Sequence, residues 1–285
     1  MTTRTIKQLI RAHAMTEGAG VTVHRTIGTP ALRNLDPFLM LDHFGSDDPD
    51  EYIAGFPDHP HRGFITFTYM LDGHMLHQDS MGNRGDLRAG GAQWMKAASG
   101  VIHSEMPQQT DGLMRGFQLW INLPAAEKMK PAAYRDIRPD EIPQASLPGG
   151  GEVRVIAGTI VVDGREVAGP VQGLSTEALY IDVRLPAGGR FTQAVAAGHN
   201  AFVYAYEGSL AVGPADDRRV LAAQDAGVLA AGEQVEIGAT TAPARFLLLA
   251  ARPLGEPVVQ HGPFVMNTRE EIEQAIADYR NNRLA

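Results

Sequence analysis

Residues 59–73 read His-Pro-His-Arg-Gly-Phe-Ile-Thr-Phe-Thr-Tyr-Met-Leu-Asp-Gly. From Phe64 to Leu71 every side chain is apolar, aromatic or threonine, the composition of a strand, and Asp72-Gly73 closes the run with a turn signal. Downstream, residues 74–79 read as the returning strand, and Met81-Gly82-Asn83 turns the chain again. Gly85-Asp86 and Gly90-Gly91 punctuate the next stretch. Gln93-Trp94-Met95 and Val101-Ile102-His103 are short strands on either side of Ser99-Gly100. Residues 116–123 form another strand, ended by Pro124. Short strands broken by glycine turns, with 31 Gly and 18 Pro in 285 residues, predict an all-β protein.

The second half repeats the pattern. A strand ending at Tyr206 runs into Glu207-Gly208, as the earlier one runs into Asp72-Gly73. Ala230-Ala231-Gly232 stands where the first half has Ala98-Ser99-Gly100. Two such units suggest a duplicated barrel. The expected boundaries are a first barrel over 1–135, a linker over 136–150, a second barrel over 151–267 and a helix over 268–285. The helix prediction rests on Thr268-Arg-Glu-Glu271, a capping box, followed by the apolar stripe Ile272, Ala275, Ile276 and Tyr279. That stripe is expected to pack on a barrel exterior.

Several function classes are excluded by composition. The formal charge is -8 and no basic run occurs, so direct nucleic-acid binding is not expected. There is no cysteine, which removes disulfides, zinc knuckles and thiol nucleophiles. The first ten residues lack a signal-peptide apolar core and no apolar run reaches membrane-spanning length, so a soluble cytoplasmic monomer is expected.

Six of the ten histidines lie between His43 and His103. A lone histidine in a strand is usually a partly buried polar residue, and His13, His24, His43, His199 and His261 are read that way. His74 and His77 differ by an odd number, so on one strand they face opposite sides and are read as non-ligands. Two pairs differ from these. His59-Pro-His61 and His103-Ser-Glu105 each place metal-competent side chains at i and i+2, on one face of a strand. Together they can supply three imidazoles and a carboxylate to one divalent transition ion, with positions left open for chemistry. Fe(II) suits that donor set; Mn, Ni, Co, Cu and Zn remain alternatives. Carried across the repeat, His59 and His61 map to Ala194 and Ala196, and His103 and Glu105 map to Val235 and Ile237. The second barrel is therefore expected to hold no metal.

His59-x-His61, Gly73, Gly85-Asp86 and Ser99-Gly100-Val-Ile-His103 resemble the two motifs of the cupin superfamily. More narrowly, His59-Pro-His-Arg-Gly-Phe64, Gln93-Trp-Met95, Gly100-Val-Ile-His-Ser-Glu-Met-Pro107 and Gly262-Pro-Phe-Val-Met-Asn-Thr268 resemble the pirin family. That resemblance implies two cupin barrels (double-stranded β-helix, or jelly-roll) in tandem with a short C-terminal helix. It also implies an iron-type site at His59, His61, His103 and Glu105 in the first barrel. One departure stands out: Ile65 occupies a position where pirins usually keep a non-ligand glutamate, which raises the prospect of a less polar pocket.

Some pirins cleave flavonols, so the resemblance implies a quercetin 2,3-dioxygenase type of reaction on a small aromatic substrate. Dioxygen enters the central ring, the ring opens and carbon monoxide leaves. Glu105 would be a ligand or the base that takes the hydroxyl proton. Trp94, Met95, Met106 and Phe64 are the expected apolar pocket residues, with ordinary barrel core as the competing role. The second reading is a metal- or redox-sensing regulator acting through a protein partner. An enclosed aromatic pocket would favour the enzyme; an exposed apolar or single-sign patch would favour the regulator.

Overall fold

A computed structural model describes all of residues 1–285. The chain is mostly β-strand and divides into two compact units, each built from a seven-stranded and a four-stranded antiparallel sheet. This is the double-layered barrel expected from the cupin resemblance.

In the unit that carries the histidine pairs, the large sheet runs in the order Ala133–Ile137, Ala92–Lys96, Phe64–Asp72, Met114–Asn122, Phe38–Ser46, Val21–Ile27 and His13–Glu17. The small sheet runs Phe56–His61, Val101–Pro107, His74–Asp79 and Arg84–Arg88. Phe64 to Met70 are buried without a break. A strand covered on both faces needs apolar side chains on both, which is why this segment shows no polar alternation. Its interior face carries Phe64, Thr66, Thr68 and Met70. Ile65, Phe67 and Tyr69 point the other way.

The other unit repeats this plan. Its small sheet runs Arg190–Ala194, Gln234–Ala239, Ser209–Val212 and Arg219–Ala222, the same order of equivalent strands. Register refines the mapping drawn from the repeat. His103 pairs with His59, whereas Val235 pairs with Gln193. With Val235 as the counterpart of His103, the counterparts of His59 and His61 are Gln193 and Val195, one residue away from Ala194 and Ala196. Val195, Val235, Ile237 and Phe191 join a continuous apolar core there.

The two ends of the chain depart from the expected boundaries. Ile6–Arg11 pairs with Asp225–Leu229, so residues 1–12, expected in the first barrel, form an edge of the second unit. Residues 254–285 belong to the first unit, including 254–267, which were expected in the second. A strand is placed by the partner whose hydrogen bonds it completes, not by its position in the chain. The helix Arg269–Arg280 has its capping box, with Glu271 N donating to Thr268 Oγ1 at 3.2 Å and Thr268 N donating to Glu271 Oε2 at 3.0 Å. Ile272 and Ala275 are buried against Phe264, Met266 and Leu284.

Candidate metal centre

The small sheet of the first unit brings the two histidine pairs together. Val101–Pro107 lies between Phe56–His61 and His74–Asp79. His103 stands opposite His59 on one side and Asp79 on the other, while Glu105 stands opposite Phe56 and His77. Residues directly opposite on antiparallel strands share a face. One face therefore collects His59, His61, His103, Glu105, His77 and Asp79. A register shift between His103 and Glu105 lets Glu105 pair with Phe56.

Ring centroids are 4.7 Å apart for His59 and His61, 4.4 Å for His59 and His103, and 4.9 Å for His61 and His103. One nitrogen from each lies within 4.8 Å of the others. His61 and His103 are each only 2% exposed. His59 is half-buried, and its Nδ1 lies 2.8 Å from the Pro57 carbonyl. A carbonyl only accepts, so Nδ1 carries the proton and Nε2 keeps its lone pair. Both ring nitrogens of His61 and Nε2 of His103 are buried without a hydrogen-bond partner. Buried polar atoms are normally satisfied, so the unpartnered nitrogens of His61 and His103, clustered with His59, mark a donor set that could hold a divalent transition ion.

The electrostatics fit the same ion. Burial holds His61 well below the ordinary imidazole pKa, and the neighbouring His59 adds to that. His103 is lowered by burial and then by His61, His59 and His77. Both are neutral at pH 7, the form that ligates metal.

Glu105 is 4% exposed and sits beside the triad. Its oxygens are turned to Thr68 and Gln118. Thr68 Oγ1 donates to Oε1 at 2.7 Å and Gln118 Nε2 donates to Oε2 at 3.3 Å. The structure thus gathers the three imidazoles into one cluster, while Glu105, expected as the fourth ligand, stays outside it, hydrogen-bonded to Thr68 and Gln118. His74 and His77 do face opposite ways: His74 is half-buried and pairs with Asp86, whereas His77 is 2% exposed. His77 Nδ1 lies 3.3 Å from His103 Nδ1. His77 stays outside the ligand cluster, as expected of a non-ligand, but its contact with His103 was not foreseen. The signal was present, since His77-Gln-Asp79 repeats the i, i+2 spacing of the ligand pairs.

His59, His61 and Glu105 line a cavity of about 590 Å³. Its apolar wall is Met40, Phe44, Phe56, Met75 and Trp120, and its polar wall includes Glu17, Arg25, Asp42, Asp58 and Gln118. None of the expected pocket residues lines it. Phe64 packs behind Trp120 at a centroid distance of 4.3 Å and beside Leu39 and Val265. Met95 packs with Ala97 and Val101, and Met106 lies against Gly55. Trp94 stands on the strand Ala92–Lys96, outside the cavity wall. Met40, Phe44 and Trp120 come from the large sheet, whose strands give no local sign of facing the triad, and Phe56 and Met75 from the small sheet. Arg25 is bidentate to Asp42 at 2.7 and 2.6 Å and pairs with Glu17 at 2.8 Å. Burial alone would lower Arg25, but these two carboxylates outweigh it and hold the guanidinium above its ordinary pKa.

Known proteins give a consistent picture. The pirin family model matches residues 20–121, and the pirin C-terminal cupin domain matches residues 180–285. A Pseudomonas aeruginosa protein provisionally named a quercetin 2,3-dioxygenase is 50% identical over 283 residues, covering 99% of this chain and 98% of the relative. The crystal structure of a quercetin 2,3-dioxygenase from Acinetobacter baumannii superposes with a TM-score of 0.90 at 32% identity, covering 100% of this chain and 99% of that one. A bacterial pirin from Escherichia coli, solved in complex with nickel(II), shares the fold at a TM-score of 0.66 and 19% identity, over 86% of this chain and 98% of that one. No helix is long and apolar enough to cross a membrane.

Proposed function

The chain belongs to the pirin family, and from that premise we propose that it is a metal-dependent dioxygenase acting on a flavonol-like substrate. One divalent transition ion, Fe(II) by preference, would be held by His59, His61 and His103, with Glu105 as fourth ligand or as base. The observation that carries the reading is the clustering of three imidazoles, with buried nitrogens of His61 and His103 lacking partners, beside a cavity of about 590 Å³ with aromatic and thioether walls. That volume lies in the usual range for small-ligand sites. The apolar and aromatic wall beside the imidazoles is what favours the enzyme over the regulator.

The chain's own residues have distinct tasks in this scheme. Trp120, Phe44, Met40 and Met75 offer apolar surface for a flat ring system and exclude water from it. Glu17, Asp42 and Asp58 present only acceptor oxygens, suited to phenolic hydroxyl donors. Arg25 is neutralised by Asp42 and Glu17, so the wall offers no free cation to an anionic substrate. Glu105 Oε2 would be the atom to take an enolic proton, because its 3.3 Å contact with Gln118 is longer than the 2.7 Å bond from Thr68 to Oε1. Thr68 would keep the other oxygen in place while that proton moves. A bound ion would supply Lewis acidity toward the hydroxyl and the one-electron chemistry that reaction with dioxygen requires.

Anaerobic loading with Fe(II), followed by oxygen and quercetin, tests this. Multiple turnovers are expected, read as oxygen uptake, loss of flavonol absorbance and release of carbon monoxide, with none in His61→Ala. Tight iron binding without turnover of any flavonol would defeat the enzyme reading and move the weight to a metal-dependent regulator.

A further inference from the structure

His77 and Asp79 lie outside the triad, yet they are buried on its face of the sheet. The Asp79 side chain is 0% exposed. Its Oδ1 accepts from the backbone of Met81 and of Asn83, each at 2.9 Å, and its Oδ2 accepts from Asn83 Nδ2 at 2.8 Å. The turn at Met81-Gly82-Asn83 thus pins the carboxylate. The same Oδ2 lies 3.2 Å from His77 Nε2. The His77 ring is stacked on Tyr134 at 4.3 Å and 18°, and its Nδ1 faces His103 Nδ1 at 3.3 Å.

Donor counting gives the chain of contacts a direction. An ionised carboxylate only accepts, so His77 Nε2 carries a hydrogen. In a neutral imidazole the other nitrogen is then an acceptor. His77 Nδ1 therefore receives a hydrogen from His103 Nδ1. That leaves the lone pair of His103 on Nε2, the buried nitrogen with no partner. From these contacts we propose that Asp79 and His77 are positioning residues which lock His103 in the tautomer that ligates the metal. The proposal rests on reading His59, His61 and His103 as the ligands. It adds a relay that begins at a surface turn and ends at the ion. Partners of this kind raise ligand basicity, and their loss typically costs about 10–100-fold in metal affinity.

Asp79→Asn makes the test sharp because it reverses the relay rather than deleting it. The amide oxygen can keep the Met81 and Asn83 backbone bonds, while the amide nitrogen takes the place of Oδ2. A donor then faces His77 Nε2. His77 must carry its hydrogen on Nδ1, and His103 must carry its own on Nε2, where it blocks ligation.

The first measurement is the tautomer of His103 in the metal-free wild-type protein, by ¹⁵N NMR of the imidazoles. The Nδ1–H form is expected; a predominant Nε2–H form would overturn the proposal. The second is Ni(II) affinity by competition with a chromophoric chelator. Asp79→Asn is expected to weaken Ni(II) about 10–100-fold and to convert His103 to the Nε2–H form. Asp86→Asn, which removes the carboxylate paired with the outward His74, is expected to change neither. His77→Phe keeps the stacking on Tyr134 but removes the acceptor, and it serves if Asp79→Asn does not fold. Its Ni(II) affinity is expected to drop within the same range. Wild-type affinity in both variants, within about threefold, would reject the relay. Should the wild-type protein fail to bind Ni(II) at all, the ligand reading fails instead, and the metal-free tautomer still decides whether the relay exists.

Discussion

At the scale of single residues, one structural fact changes the meaning of a substitution. Ile65 replaces a glutamate expected at that position, which suggested a change in pocket polarity. Its side chain points away from the cavity, on the face opposite Thr68 and Glu105, and does not line the pocket. Burial also explains how histidines outside the triad respond to acid. His43 is stacked on Phe117 at 4.8 Å and is lowered to about 3 by burial, then by the charges of His24 and Arg115. Above the unfolded value near 6.5 the imidazole is neutral in both states and costs nothing. As pH falls below 6.5 the unfolded chain takes up a proton that the folded chain refuses. Stability is then lost down to about pH 3 and levels off below. The slope for one such group approaches about 1.4 kcal/mol per pH unit. In His43→Phe that share of the acid loss is expected to vanish, read as a flatter dependence of the urea midpoint on pH between 6.5 and 4. An unchanged slope would show that His43 takes up its proton in the folded state.

At the scale of elements, the loop that follows His61 is held unusually tightly. Gly63 has φ +94, and a Cβ there would lie 1.9 Å from the Val265 carbonyl oxygen, so no side chain fits. Arg62 Nη1 pairs with Asp278 Oδ2 of the C-terminal helix at 2.8 Å. Arg62 Nε donates to the Ser99 carbonyl at 2.5 Å. Lys128, 1% exposed, donates through Nζ to the carbonyls of Gly63 and Val265 and to Asn122 Oδ1. Burial lowers it to about 8. These contacts join the ends of both ligand strands to the C-terminal hairpin. Lys128→Met leaves three buried acceptors without that donor, and a loss of at least about 3 kcal/mol is expected, taking about 1–3 for each unsatisfied group. Equilibrium urea unfolding would measure it, and a cost under 1 kcal/mol would mean water replaces the ammonium.

At the scale of the molecule, the duplicated fold carries one cluster of three imidazoles, and the equivalent positions of the other barrel are Gln193, Val195 and Val235. One ion per chain is expected from elemental analysis of the loaded protein, falling to well under half an ion in His61→Ala with unchanged circular dichroism. Two ions per chain, or full occupancy in the variant, would contradict this assignment.

Much of this was legible in the sequence because it is local. Strand period, glycine turns and the capping box depend on near neighbours, and the i, i+2 spacing of His59 with His61 and of His103 with Glu105 announces a shared face. What surrounds the triad is not local. The apolar wall of Met40, Phe44 and Trp120, the carboxylate clamp on Arg25 and the turn of Glu105 toward Thr68 and Gln118 come from strands of the large sheet. They meet the triad only when two layers close on each other. The same holds for the ends of the chain, since Ile6–Arg11 finds its hydrogen-bond partners more than two hundred residues away. Sequence alone determined the strand class, the duplication and the histidine pairs, because backbone geometry imposes a two-residue period wherever a strand forms. Only the tertiary structure decided which walls enclose the site, which barrel each terminus completes and that His77 backs His103, because such contacts are set by how sheets stack and leave no periodic mark along the chain.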